Sequence, residues 1–135
     1  MILDDLSDYL SSQGIGTIGT DLFKASLPST PDAAVALFKY GGPAPVHMMS
    51  AGPGTAIVER PHLQVLARHT HPANAEKKAQ DIWTLLDALG DKTINGVRYL
   101  SVYAIQTPFF FQKDETGRFT YACNYEIVRE PATSS

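Results

Sequence analysis

The chain has 135 residues, of which 44% are hydrophobic and 19% charged, and its formal net charge is −3 at pH 7. This length and composition suit one compact domain, which we expect over residues 1–130, with a disordered C-terminal tail at 131–135. The acidic balance disfavours proteins that wrap DNA or RNA.

The sequence also lacks the usual signals of an exported or membrane protein. Cys123 is the single cysteine, so no internal disulfide can form. The opening MILDDLSDYL carries acidic residues and no basic region, unlike a signal peptide. No apolar run approaches the roughly 18 residues that a membrane span needs. We therefore expect a chain that folds in a cytoplasm and has no membrane partner.

The N-terminal part predicts one helix and two strands. Residues 2–13 have apolar side chains at helical spacing, and Gly14 follows as a stop. Residues 20–28 alternate loosely and predict a short strand that ends at Pro28. Residues 32–40 form an apolar run between turn residues, which favours a buried strand.

Residues 41–55, GGPAPVHMMSAGPGT, hold four glycines and three prolines and predict a long loop. A loop of this length in a small domain is uncommon and is usually functional or mobile. Its centre is apolar, and such a tip is poorly soluble unless another surface covers it. We therefore expect the tip to become ordered on assembly and to contact a partner through Val46, His47, Met48 and Met49.

The second half predicts a strand at 56–69, a helix at 74–90 and an antiparallel group of strands. Asn95-Gly96 indicates a hairpin, a strand follows at 97–106, and a turn near 113–117 precedes a long aromatic strand. The expected fold class is α+β, with a mainly antiparallel β-sheet and two main α-helices packed on it.

The segment RHTHP, residues 68–72, most resembles a reactive site. His69 and His71 could share a strand face and bind zinc. Their spacing is loose, His62 would lie on the opposite face, and no accompanying motif supplies a third ligand. We favour a strand-to-helix corner and expect no metal and no cofactor. A small His-based metal-binding or ligand-binding domain is the less favoured alternative.

No arrangement of residues predicts catalysis. Cys123 lies within a strand on an aromatic face, which favours a small buried side chain over a nucleophile. The glycine-rich stretches of residues 41–55 match no phosphate-binding motif, and their prolines remove N–H donors. The carboxylates of KDETGR at 113–118 are typical of a solvated turn. We therefore expect a protein without enzymatic activity and with no catalytic residue.

Three successive phenylalanines, Phe109–Phe111, make both faces of a strand apolar. Burial in the core of the subunit and contact with another subunit explain this run equally well. The sequence leaves both interpretations open.

The back half combines several of these features into one pattern. An alternating strand ends in Arg68, an alanine-rich helix carries Ile82-Trp83 and Leu85-Leu86, an ING turn follows, and the last strand ends NYEIV. With the N-terminal ILDDLSDYL helix, this pattern resembles the minor capsid or tail terminator proteins of long-tailed bacteriophages.

The resemblance implies a single tail-terminator-like domain at 1–130 with no catalytic activity. It implies a homo-oligomer, a hexameric ring that caps the tail tube and joins it to the head or neck. The implied partners are further copies, the tail tube protein and a head–tail connector or neck protein, and DNA passes through the lumen without specific binding. The implied location is the neck region of the virion tail, after assembly in the host cytoplasm. A head-completion protein or other neck protein is the close alternative.

Subunit contacts are expected at the long loop, at the strand-to-helix corner and at the aromatic hairpin. Besides the loop residues, the candidates are Arg68, His69, His71, Phe110 and Arg118.

Overall fold

The computed structural model describes residues 2–41, 46–47 and 56–130, and of 46–47 and 56–58 it describes the backbone alone. Two helices and nine strands lie within these ranges. They are α1 (Ile2–Ser12), β1 (Leu22–Lys24), β2 (Ala34–Tyr40), β3 (Val46–His47), β4 (Ala56–Val58), β5 (His62–His69), α2 (Pro72–Leu86), β6 (Leu89–Ile94), β7 (Val97–Ala104), β8 (Phe109–Lys113) and β9 (Phe119–Arg129).

Seven of the described strands form one curled sheet, a half-barrel. The strand order is β1-β2-β5-β9-β7-β6, and β8 also pairs with β9. β1 is parallel to β2, whereas the other neighbours are antiparallel. β9 is 11 residues long, so β5 covers one of its edges while β7 and β8 share the other. β3 and β4 form a separate two-stranded hairpin.

Both helices pack on the same face of this sheet and build the core. The apolar stripe of α1 is Ile2, Leu6 and Leu10, and that of α2 includes Ala79, Ile82 and Leu86. These side chains meet alternate residues of the central strands, and burial of each large side chain contributes about 1.5–3 kcal/mol. The sheet residues of the core are Leu22, Val35, Leu37, Leu63, Val65, Ala67, Ile94, Tyr99, Val102, Cys123, Tyr125 and Ile127.

The expected α+β class is wrong, because the protein is mainly β. Strands make up 45% of the structure, against two helices of 11 and 15 residues. The predicted helix at 74–90 ends at Leu86, where the Asp87 N–H bonds to the Trp83 carbonyl and Ala88 takes a positive φ of 61°. The Asp87 carboxylate also accepts the Ala104 N–H at 2.8 Å, which turns the chain directly into β6. The expected packing of two helices on a mainly antiparallel sheet is retained.

Two further turns follow from local chemistry. Pro61 lacks an N–H and divides the predicted strand at 56–69 into β4 and β5. Asn95 and Gly96 have φ values of 52° and 80°, as a two-residue hairpin turn between β6 and β7 requires.

A buried polar network joins α1 to the C-terminal strand. The Tyr99 hydroxyl donates to Asp5 at 2.5 Å, and the Asn95 amide donates to the other Asp5 oxygen at 3.0 Å. Arg129 lies 4.0 Å from the Asp5 carboxylate and pairs with Glu59 at 2.9 Å. Burial, and then the bond to Asp5, raises the pKa of Tyr99, so its phenol stays protonated and donates. The network therefore fixes α1 against β7, β9 and the base of the β3–β4 hairpin.

Candidate subunit interface

Most of the predicted contact residues lie at one end of the sheet. β5 ends at His69, opposite Phe119 of β9, and Phe119 is also opposite Lys113 of β8. Phe110 and Tyr121 are partners one step further along β8 and β9. The structure thus brings together the corner and the hairpin, with Arg68, His69, His71, Phe110 and Arg118.

The predicted loop at 41–55 lies in the chain between β2, which ends at Tyr40, and β5, which begins at His62. Val46 and His47 form β3, for which the backbone is described. Met48 and Met49 lie outside the described residues. The role of these four residues in a contact remains a prediction.

Arg68 and Arg118 stabilise the corner of their own subunit. Arg68 is buried and donates to the Asp32 carbonyl at 3.1 Å and to the Pro31 carbonyl at 2.6 Å. Arg118 donates to the Ser29 carbonyl and lies 3.6 Å from the Asp32 carboxylate. Burial, and then the neighbouring Arg118 charge, lowers the pKa of Arg68. These contacts hold residues 29–32 against the sheet, and an interface role for the two arginines remains a prediction.

The histidines form a strand-to-helix corner, as the sequence predicts. The His71 N–H donates to His69 Nδ1 at 3.0 Å, and Pro72 begins α2 directly after His71. His62 is the first residue of β5 and His69 the last, which separates them by about 23 Å at the usual strand rise. Among the described residues, no group of three or more His, Cys, Asp or Glu could hold a metal ion.

An exposed aromatic cluster surrounds β8. Phe110 is 52% and Phe111 43% exposed. The Phe110 ring packs against Tyr121 and Phe119, with centroid distances of 5.8 and 6.4 Å, and the Lys113 ammonium lies 5.2 Å from the Phe119 centroid. We call Phe110, Phe111, Lys113, Phe119 and Tyr121 the β8 patch. Within the described chain, β8 pairs with β9 alone, so its other edge is free.

A second exposed surface was not predicted from the sequence. Tyr40, His62, Glu126 and Tyr103 are successive register partners on four adjacent strands and form one line across the sheet. We call these four residues the Tyr–His–Glu–Tyr row. Their chain neighbours Leu63, Val102 and Ile127 point into the helix-covered core, so the row lies on the opposite face of the sheet. On each of these strands, aromatic or polar residues alternate with core residues. This alternation is the sequence signal for the row, but the strands are distant in sequence.

Asp114 organises the turn that connects β8 to β9. One carboxylate oxygen accepts the Thr116 and Arg118 N–H groups at 3.0 and 2.9 Å, and the other accepts Arg118 Nε at 2.6 Å. The bond from the Arg118 backbone is the main cause that lowers the pKa of Asp114 to about 2, followed by the bonds from the Thr116 and Arg118 side chains. Because this folded-state pKa lies below the ordinary value of 3.8, the turn is stabilised above about pH 4 and loses that stabilisation as the pH falls towards 2.

We therefore expect the amide resonances of Thr116 and Arg118 to titrate with a midpoint near pH 2 in an NMR pH series. In the Asp114→Asn variant this titration should disappear, since the amide side chain does not ionise. A midpoint near 4 in the unsubstituted protein would show that the carboxylate does not hold the turn.

The geometry defines a class of protein: a small, mainly β subunit whose distinctive features are exposed surfaces on a curled sheet. No helix among the described residues is long and apolar enough to cross a membrane. A family model described as bacteriophage tail terminator protein matches residues 9–131, so the chain belongs to this family. The resemblance found in the sequence is thereby confirmed.

Solved structures agree with the fold. Eight chains of known structure match, one of them from the structure titled "Virion of native gene transfer agent (GTA) particle". That chain is 14% identical, with a TM-score of 0.57, and the match covers 84% of this chain and 81% of that one. None of the curated proteins matches the sequence. Membership of the tail terminator family makes the chain a structural protein of a phage tail or neck, part of the virion.

Proposed function

We propose that the chain is a tail terminator that forms a ring, a hexamer, which caps the tail tube and joins it to the head or neck. The observation that carries this proposal is the β8 patch, an apolar edge strand exposed on a folded subunit. Long exposed apolar edges cause aggregation unless another chain covers them. In a ring, the neighbouring subunit covers this edge.

The contact between ring neighbours would centre on Phe110 and Phe111. Exposed phenylalanines contribute more to a subunit contact than to the stability of the isolated chain, because their free faces lose water only on association. The corner with His69 and His71 lies beside the patch, and Arg68 and Arg118 support it from within.

The β3–β4 hairpin is the proposed contact with the tube or the neck. Isolated two-stranded hairpins are marginally stable in water and gain stability from a further strand or a packed surface. The described backbone of β3 and β4 pairs outside the main sheet, which supports a role for Val46 and His47, and with them Met48 and Met49, in contact with a partner.

The charge of the chain is compatible with a collar around DNA. With a net charge of −3, a ring of this subunit would let DNA slide through its lumen without specific binding. Assembly in the host cytoplasm and a final position in the neck region complete the proposal, with residues 1–130 as one domain.

An elongation assay with the tail tube protein of the same phage tests this function. Added chain should bind at one end of each tube and stop elongation, and averaged electron micrographs should show a terminal ring. Tubes that elongate unchanged while the chain binds the head–tail connector would instead identify another neck protein.

A further inference from the structure

The Tyr–His–Glu–Tyr row runs across four strands on the face of the sheet away from the helices. Tyr40 and Tyr103, at its two ends, are each 40% exposed, and the Tyr40 ring meets His62 edge-on with centroids 5.2 Å apart. The Glu126 carboxylate beside Tyr103 is the main cause that raises the pKa of this tyrosine, followed by burial, while the nearby positive Arg60 lowers it. The row thus presents two tyrosine rings with a carboxylate between them.

A second line of residues extends the surface. Phe38, Gln64 and Asn124 are register partners one step along the same face, and the Ile105 N–H donates to the Asn124 carbonyl at 2.8 Å. Ile105 is 50% exposed. Tyrosines and other aromatic residues beside amides and the charges of Glu126 and Arg60 are the composition of protein contact surfaces rather than of clefts for small ligands.

The exposed apolar residues fall into two separate groups. Among the side chains that the structure describes, five large hydrophobic residues are exposed: Tyr40, Tyr103, Ile105, Phe110 and Phe111. The first two belong to the row, on the face away from the helices, and Ile105 lies beside it. Phe110 packs on Tyr121, on the face that the helices cover. A head-to-tail ring requires two different complementary patches on each subunit, and these two groups meet that requirement.

We propose that the Tyr–His–Glu–Tyr row binds the β8 patch of a second copy of the chain, so that Lys113 of one copy meets Glu126 of the next. The β8 patch offers exposed phenylalanines and a cation, and the row offers aromatic rings and an anion. Because Phe110, Lys113 and their partners on β9 lie on the helix-covered face and the row lies on the other face, one copy uses the two surfaces on different neighbours. This inference rests on the proposed ring and names its two surfaces.

Charge exchange tests the pairing directly. We expect Lys113→Glu and Glu126→Lys each to raise the concentration at half-association about tenfold or more, because like charges then face each other. The double variant Lys113→Glu/Glu126→Lys should return to within about threefold of the unsubstituted chain, since every contact regains an opposite pair. Sedimentation of the full chain, alone and with tail tubes, provides the measurement, and circular dichroism verifies that each variant folds.

Asp81→Lys on the outer face of α2 is the matched control, since this side chain is 49% exposed and lies outside both patches. It should leave association unchanged. Failure of the double variant to recover, or normal association of Glu126→Lys, would overturn the pairing. Normal rings that no longer bind tubes in Glu126→Lys would also overturn it and assign the row to the tube. Chains that associate through this contact yet never bind tubes would refute the proposed function instead.

Discussion

Replacing Arg129 by methionine is expected to lower the free energy of unfolding by roughly 3–5 kcal/mol. The guanidinium lies among the Asp5 carboxylate, the Glu59 carboxylate and the Tyr99 hydroxyl, and its side chain is buried. Removal of this cation leaves Asp5 buried without a positive neighbour. Urea unfolding measures this change. An unaltered slope of the free energy of unfolding against urea concentration shows that the substitution does not change the unfolded state.

Arg98→Met is the matched control for this substitution. Arg98 also pairs with two carboxylates, Asp91 at 2.8 Å and Glu130 at 3.4 Å, but all three side chains are exposed. Exposed pairs contribute little, so this variant should lose less than about 1 kcal/mol. Equal losses for Arg98→Met and Arg129→Met would contradict a buried network that fixes α1 to the sheet.

Phe110→Ser/Phe111→Ser is expected to raise the concentration at half-association by about 100-fold or more. Both rings are exposed in the isolated subunit, so their loss removes contact area between copies and little from the core. The change in stability should stay within about 1–2 kcal/mol, the contribution of the Phe110 contacts with Phe119 and Tyr121. Light scattering over a concentration series and thermal unfolding measure the two effects.

Gln112→Ser is the control, because it places a serine on the same exposed strand, β8, without removing a phenylalanine. This variant keeps the phenylalanines and should associate normally, and Phe110→Leu should retain most of the association. If the double serine variant associates as the unsubstituted chain does, the β8 patch is not part of the contact between copies.

Local patterns in the sequence predict the helices and the hairpin turn well. The apolar spacing of α1 and α2 appears directly as their buried stripes, because a helix brings residues three and four apart onto one face. Asn95-Gly96 forms the predicted turn, since both residues tolerate a positive φ. The resemblance in the back half also identifies the correct family.

Long-range pairing limits what the sequence can predict about the fold class. α2 and β6 are separated by two residues, and the end of α2 depends on the bond between Asp87 and Ala104 of β7. No local pattern indicates that bond, so the helix is predicted to end later than it does. Pro61 lacks the N–H that a strand interior needs, and it separates β4 from β5.

The candidate interface shows the same limit for side chains. Arginine is usually exposed, so Arg68 and Arg118 were natural contact candidates, yet the backbone carbonyls of residues 29–32 satisfy their donors inside the subunit. The Tyr–His–Glu–Tyr row draws one residue from each of four strands, and only the strand order β2-β5-β9-β7 makes it a surface. The run of three phenylalanines leaves core burial and subunit contact open, and the structure adds that Phe110 is exposed, whereas its role in a contact stays a prediction.

Analytical ultracentrifugation of the chain, alone and with tail tube protein, most directly tests whether it acts by covering its exposed surfaces with further copies. We expect a closed assembly of about six copies of the 14.7 kDa chain, formed in solution or on the tube. A particle that remains at 14.7 kDa at every concentration, with and without the tube protein, would contradict the account.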